Sequence, residues 1–86
     1  MPQVSRFFGI IISMYYDEHN PPHFHATYGE YQAEIAIQDL NVLIGKLPSR
    51  VLGLVVEWAS VHQTELMSNW IRIENGESIE KIAPLE

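Results

Sequence analysis

The dipeptide Gly29-Glu30 constrains this chain more than any other feature, because it separates two runs of alternating apolar and polar residues. Glycine at the first central position of a two-residue loop sets a type II′ turn, and that turn fixes the register of the strands it joins. The pattern predicts strands over 23–28 and 31–38, with Tyr28 opposite Tyr31, Ala26 opposite Ala33 and Phe24 opposite Ile35. Side chains alternate across a strand, so Phe24, Ala26, Tyr28, Tyr31, Ala33 and Ile35 share one apolar face. The reverse face then carries Thr27 opposite Gln32, His25 opposite Glu34 and His23 opposite Ala36.

Other elements follow from period and punctuation. Residues 8–16 are β-branched and aromatic, and read as a further strand. That strand ends at Asp17-Glu18-His19-Asn20-Pro21-Pro22, whose prolines have no N–H for a ladder. Residues 39–47 read as a short strand or extended segment. Pro48 suits a first helical turn, and the helix it opens is expected to run to about Trp70, with Asn75-Gly76 closing the region. At about 100° per residue, Val51, Leu52, Val55, Trp58, Ala59, His62, Leu66, Asn69 and Trp70 lie on one face. Both tryptophans are expected to be core anchors, and Ile79, Ile82 and Leu85 suggest a short C-terminal strand or packed tail. With 86 residues, no repeat and no linker, the expectation is a single α+β domain over 1–86. Its architecture would be a small antiparallel β-sheet packed on one long α-helix.

Composition removes several kinds of chemistry. The absence of cysteine excludes a disulfide framework, a thiolate zinc site and a cysteine nucleophile. Five Lys and Arg against eleven Asp and Glu leave a net charge of −6, which disfavours RNA as a ligand because phosphate contacts need clustered cations. Arg6, Lys46, Arg50, Arg72 and Lys81 are dispersed, although Lys46 and Arg50 flank the expected helix start, where they would form a small anion site or stay solvated. No Gly-rich phosphate loop occurs, and no serine sits in a nucleophile elbow. The apolar run from Phe7 to Ile12 is too short to span a bilayer and is followed by no cleavage site, so a cytoplasmic protein without membrane association is expected.

Three of the four histidines fall in His19-Asn-Pro-Pro-His23-Phe-His25. Histidines at i and i+2 on a strand project from the same face, a spacing that serves acid–base pairs and metal sites alike. As an acid–base pair, His23 and His25 would be the catalytic residues, with Glu34 orienting His25 across the hairpin. As a transition-metal site, His19, His23 and His25 would be the ligands. Asp17, Glu18, His19 and His62 are additional candidates for either role, His62 only if the helix end reaches the sheet edge. The plain alternative places His23 and His25 on a solvated sheet face, with Glu34 a surface partner. No organic cofactor is expected. Ile10, Ile12 and Met14 alternate with Ile11 and Tyr15, so the first strand is apolar on both sides. One helix cannot cover both, which points, together with Val56 and Met67, to a protein partner or a homo-oligomer.

The run from Ile12 to Tyr28, with His-Asn-Pro-Pro-His-Phe-His at its centre, resembles the hallmark of a prokaryotic family known as domain-of-unknown-function 4160. Gly45-Lys-Leu-Pro-Ser-Arg50, Trp58, His62, Glu65-Leu66 and Asn69-Trp70 are similar to it too, so the resemblance spans about residues 8–85. It implies a small stand-alone protein encoded beside a partner of family 2442, in a toxin–antitoxin arrangement. Within it this chain would be a toxin with ribonuclease-type chemistry or, alternatively, a non-enzymatic regulatory or adaptor module.

Overall fold

A computed structural model describes residues 3–16 and 19–86. Among these residues the chain forms five strands and two helices: β1 (Gln3–Phe7), β2 (Ile10–Ser13), β3 (His23–Tyr28), β4 (Tyr31–Ala36), β5 (Val42–Lys46), α1 (Ser49–Ser60) and α2 (Gln63–Glu74). The strands build one antiparallel meander in the order β1-β2-β3-β4-β5. The α+β class and small sheet expected from the pattern are therefore present.

The central hairpin has the expected register at every pair from His23↔Ala36 to Tyr28↔Tyr31. Gly29 takes φ +58° at the first turn position, where a residue with a Cβ would be strained. Phe24, Ala26, Ala33 and Ile35 are buried, whereas Tyr28 and Tyr31 at the turn end are each 37% exposed. Trp58 of α1 closes that face, its ring 6.1 Å from Phe24 and 5.4 Å from Phe7.

The expected strand over 8–16 is corrected. The strand proper is Ile10–Ser13, and it is the second arm of a hairpin whose first arm is β1. Phe8 and Gly9 join the arms with φ +50° and +79°, the pair of positive angles that marks a type I′ turn. Phenylalanine is a poor residue for that angle, so composition conceals the turn. A register shift between Gln3 and Ser5 also breaks the alternation of β1. Farther on, β4 stops at Ala36, not Gln38, because the chain turns back at once. Ala36 N–H donates to Asn41 O, Leu40 N–H donates to Ala36 O, and Leu40 itself has φ +60°.

The single long helix is likewise corrected to two, parted at Val61 and His62. No glycine or proline announces the break. It brings Gln63 to the end of the sheet, where its Nε2 donates to the carbonyls of Ile37 (2.8 Å) and Gln38 (3.0 Å). Asn75 and Gly76 end α2 as expected. Glu77 N–H donates to Arg72 O and Gly76 N–H to Ile73 O, with Gly76 at φ +71°: a Schellman closure.

Residues 77–86 form a packed tail rather than a strand. Asn69, 2% exposed, clasps Glu80 through both its amide nitrogen and its carbonyl oxygen. Trp58 Nε1 donates to Ala83 O, and Ile82 N–H donates to Val4 O at the β1 edge. Met67 packs on the core and is not an outward residue.

Two glycines predict opposite outcomes. A Cβ at Gly45, where φ is +80°, would lie 2.1 Å from Gln32 O, while one at Gly53 in α1 would meet nothing within 4 Å. Gly45→Ala should cost about 2–4 kcal/mol. Gly53→Ala should add about 0.5–1 kcal/mol, which raises Tm by roughly 2–8 °C in a domain of this size. Thermal unfolding of both variants checks the pair.

Candidate functional site

Alternation along β3 sends Phe24 toward α1 and His23 and His25 to the reverse face, and the hairpin register sets Glu34 of β4 directly across from His25. Ser13 of β2 and Ile44 of β5 extend the same row, through Ser13↔His25 and Glu34↔Ile44. The residue types are those the pattern predicts. Their environment is not a solvated face: His23 is 3% and His25 9% exposed. Two aromatic side chains account for this. The Trp70 ring lies 5.3 Å from that of His23, and Tyr15 meets His25 edge to face at 4.6 Å.

Burial of two imidazoles is costly unless their nitrogens are satisfied. His23 Nδ1 lies 2.8 Å from Pro21 O. A carbonyl only accepts, so Nδ1 carries the proton, and Nε2 is the nitrogen turned to Glu34, 3.6 Å from Oε1. The His23 and His25 rings are 5.3 Å apart, and one nitrogen from each plus a Glu34 oxygen all lie within 4.8 Å of one another. This is the group of three among the described residues that fits an ion. A tetrahedral ion with bonds of about 2.1 Å holds its donors about 3.4 Å apart. His23 Nε2 and Glu34 Oε1, 3.6 Å apart, stand near that spacing. Two imidazoles and a carboxylate form a donor set for zinc and its neighbours. The Pro21 carbonyl holds His23 in one tautomer, as outer partners do for metal-ligating histidines in general.

The other predicted site residues separate from this group. His19 is exposed, its ring 6.4 Å from His23, and Glu34 occupies the third position that the metal reading gave to His19. His62 does not join the cluster: it precedes α2, stacks 5.3 Å from Trp58 and pairs through Nδ1 with Glu65. Asp17 and Glu18 lie outside the described residues. Sequence reasoning missed Pro21, Tyr15 and Trp70 as the walls of the site. The adjacent prolines were a signal that the approach to His23 is rigid, but nothing indicated that a carbonyl would turn to the ring.

The chain belongs to the family described as domain of unknown function (DUF4160), whose model matches residues 9–71. The match takes in β2 through most of α2, and with them all three members of the cluster. No curated protein and no solved structure matches the chain.

Proposed function

We propose that this member of the family binds a divalent transition-metal ion, of the zinc class, through His23, His25 and Glu34. The carrying observation is the convergence of three donor atoms within 4.8 Å, with His23 oriented by the Pro21 carbonyl. Three protein donors leave such an ion a position for water, the arrangement that supports Lewis-acid chemistry. His23 and His25 supply neutral nitrogens, Glu34 supplies charge, and Trp70 and Tyr15 keep bulk water from the ring faces. The ribonuclease-type alternative assigns the same side chains to acid–base catalysis. It is less supported, because both histidines are buried and Arg6 and Lys46, the cations on this sheet face, fall on the neighbouring row of residues.

Untagged protein titrated with zinc should take up about one equivalent, and His23→Ala or His25→Ala should each weaken binding by about 10–100-fold or more. Cobalt or copper should quench Trp70, which sits against His23, in a Trp58→Phe background. Binding should weaken as the solution is acidified, since protons compete with the metal for the same nitrogens. Less than about a tenth of an equivalent by elemental analysis after zinc loading and desalting would refute the reading.

The operon partner implied by the resemblance is a proposal of its own, favoured by one feature of the sheet. The β1 edge meets the C-terminal tail, whereas β5 at the other edge exposes Val42 (38%), Leu43 (41%) and Ile44 (59%). An uncovered apolar edge suits pairing with another chain. Co-expression with the adjacent gene product should give a complex that Leu43→Lys plus Ile44→Lys disrupts. A toxin role predicts growth arrest on expression, relieved by the partner and lost in His23→Ala/His25→Ala.

A further inference from the structure

Away from the histidines, Phe8, Tyr28, Arg50, Val51 and Leu54 line an open cleft of about 300 Å³ between the β1–β2 turn and the first half of α1. We propose that this cleft binds a small planar aromatic anion, an aryl carboxylate in chemical class. The inference is independent of the metal reading, because Tyr28 lies on the opposite sheet face from His25.

The walls define the ligand. Phe8 is 59% and Tyr28 37% exposed, so two aromatic rings stand in solvent on one side of the cleft. Val51 and Leu54 supply an aliphatic floor. Arg50 is exposed, and it has no ion pair and no acidic neighbour in the lining among the described residues. Aromatic and aliphatic walls take a flat apolar body, and a guanidinium takes a carboxylate through paired N–H donors while also stacking on rings. The volume sits at the lower end of small-molecule sites, which restricts the ligand to one or two rings.

Phe8 gives the cleft its strongest mark. It holds φ +50° in a turn where asparagine, aspartate or glycine adopts that angle readily. A large apolar side chain that is both backbone-strained and exposed serves the fold poorly. Such conflicts between local preference and structure concentrate at sites kept for binding. The same conflict makes the test clean, since Phe8→Asn improves the turn while removing the aromatic wall.

Naphthoate and its neutral amide, naphthamide, are titrated into the protein and followed by proton–nitrogen correlation NMR. Naphthoate should shift the amides of Gly9, Tyr28, Val51 and Leu54 saturably, with a dissociation constant in the high-micromolar to millimolar range expected of a fragment of about a dozen heavy atoms. Naphthamide should bind at least about threefold more weakly. Phe8→Asn should raise Tm yet weaken naphthoate at least about fivefold. Arg50→Gln should keep naphthamide binding and abolish the preference for the anion. Absence of saturable shifts at these amides, or equal naphthoate affinity in wild type, Phe8→Asn and Arg50→Gln, would overturn the proposal.

Discussion

Tyr28 lies opposite Tyr31 across Gly29-Glu30, and every side chain of the two central strands takes its face from that pairing. A slip of one residue in either strand would carry its apolar side chains to the histidine face and its polar ones toward α1. The apolar set is held by Trp58, which the helix carries onto Phe24 and Phe7. The polar set is held by contrast through individual contacts: Pro21 to His23, Tyr15 to His25 and Trp70 to His23. One turn therefore organises a hydrophobic core and a histidine–carboxylate cluster on opposite sides of the same two strands.

The two sides differ in what their burial demands. Phe24, Ala26 and Ile35 need only apolar neighbours of the right shape. His23 and His25 need their ring nitrogens paired, and for His23 the Pro21 carbonyl accepts the Nδ1 proton while Nε2 faces the Glu34 carboxylate at 3.6 Å. The Pro21 contact orients Nε2 of His23 toward Glu34, so two acceptors face each other where a cation would fit between them. The tail and α2 contribute by fixing Trp70: Asn69, next to it in sequence, is locked to Glu80 on the tail.

Much of this was legible where local chemistry and global fold agree. Gly29 announced the central turn, Asn75-Gly76 the end of α2, and period two the faces of β3 and β4, so His25 opposite Glu34 could be named from residues alone. What stayed hidden were places where the chain overrides local preference. Phe8 occupies a turn position that favours asparagine, so residues 8–16 read as one strand and β1 was not expected. Val61 and His62 interrupt a helix without glycine or proline, and what accompanies the break, Gln63 bonded to carbonyls beyond the end of β4, is a contact distant in sequence. The histidine face read equally well as solvated, because Tyr15 and Trp70 reach it from elements whose periodicity said only that they were apolar.

Metal binding as proposed requires that the Pro21 carbonyl hold His23 with its proton on Nδ1, so that Nε2 joins His25 and Glu34 in receiving the ion. Long-range proton–nitrogen NMR of the imidazoles reads this directly, before and after addition of zinc. His23 should be the Nδ1–H tautomer in metal-free protein, and zinc should cause a large shift at its Nε2 and at one ring nitrogen of His25. A proton on Nε2 of neutral His23, or imidazole nitrogens unmoved by saturating zinc, would contradict it.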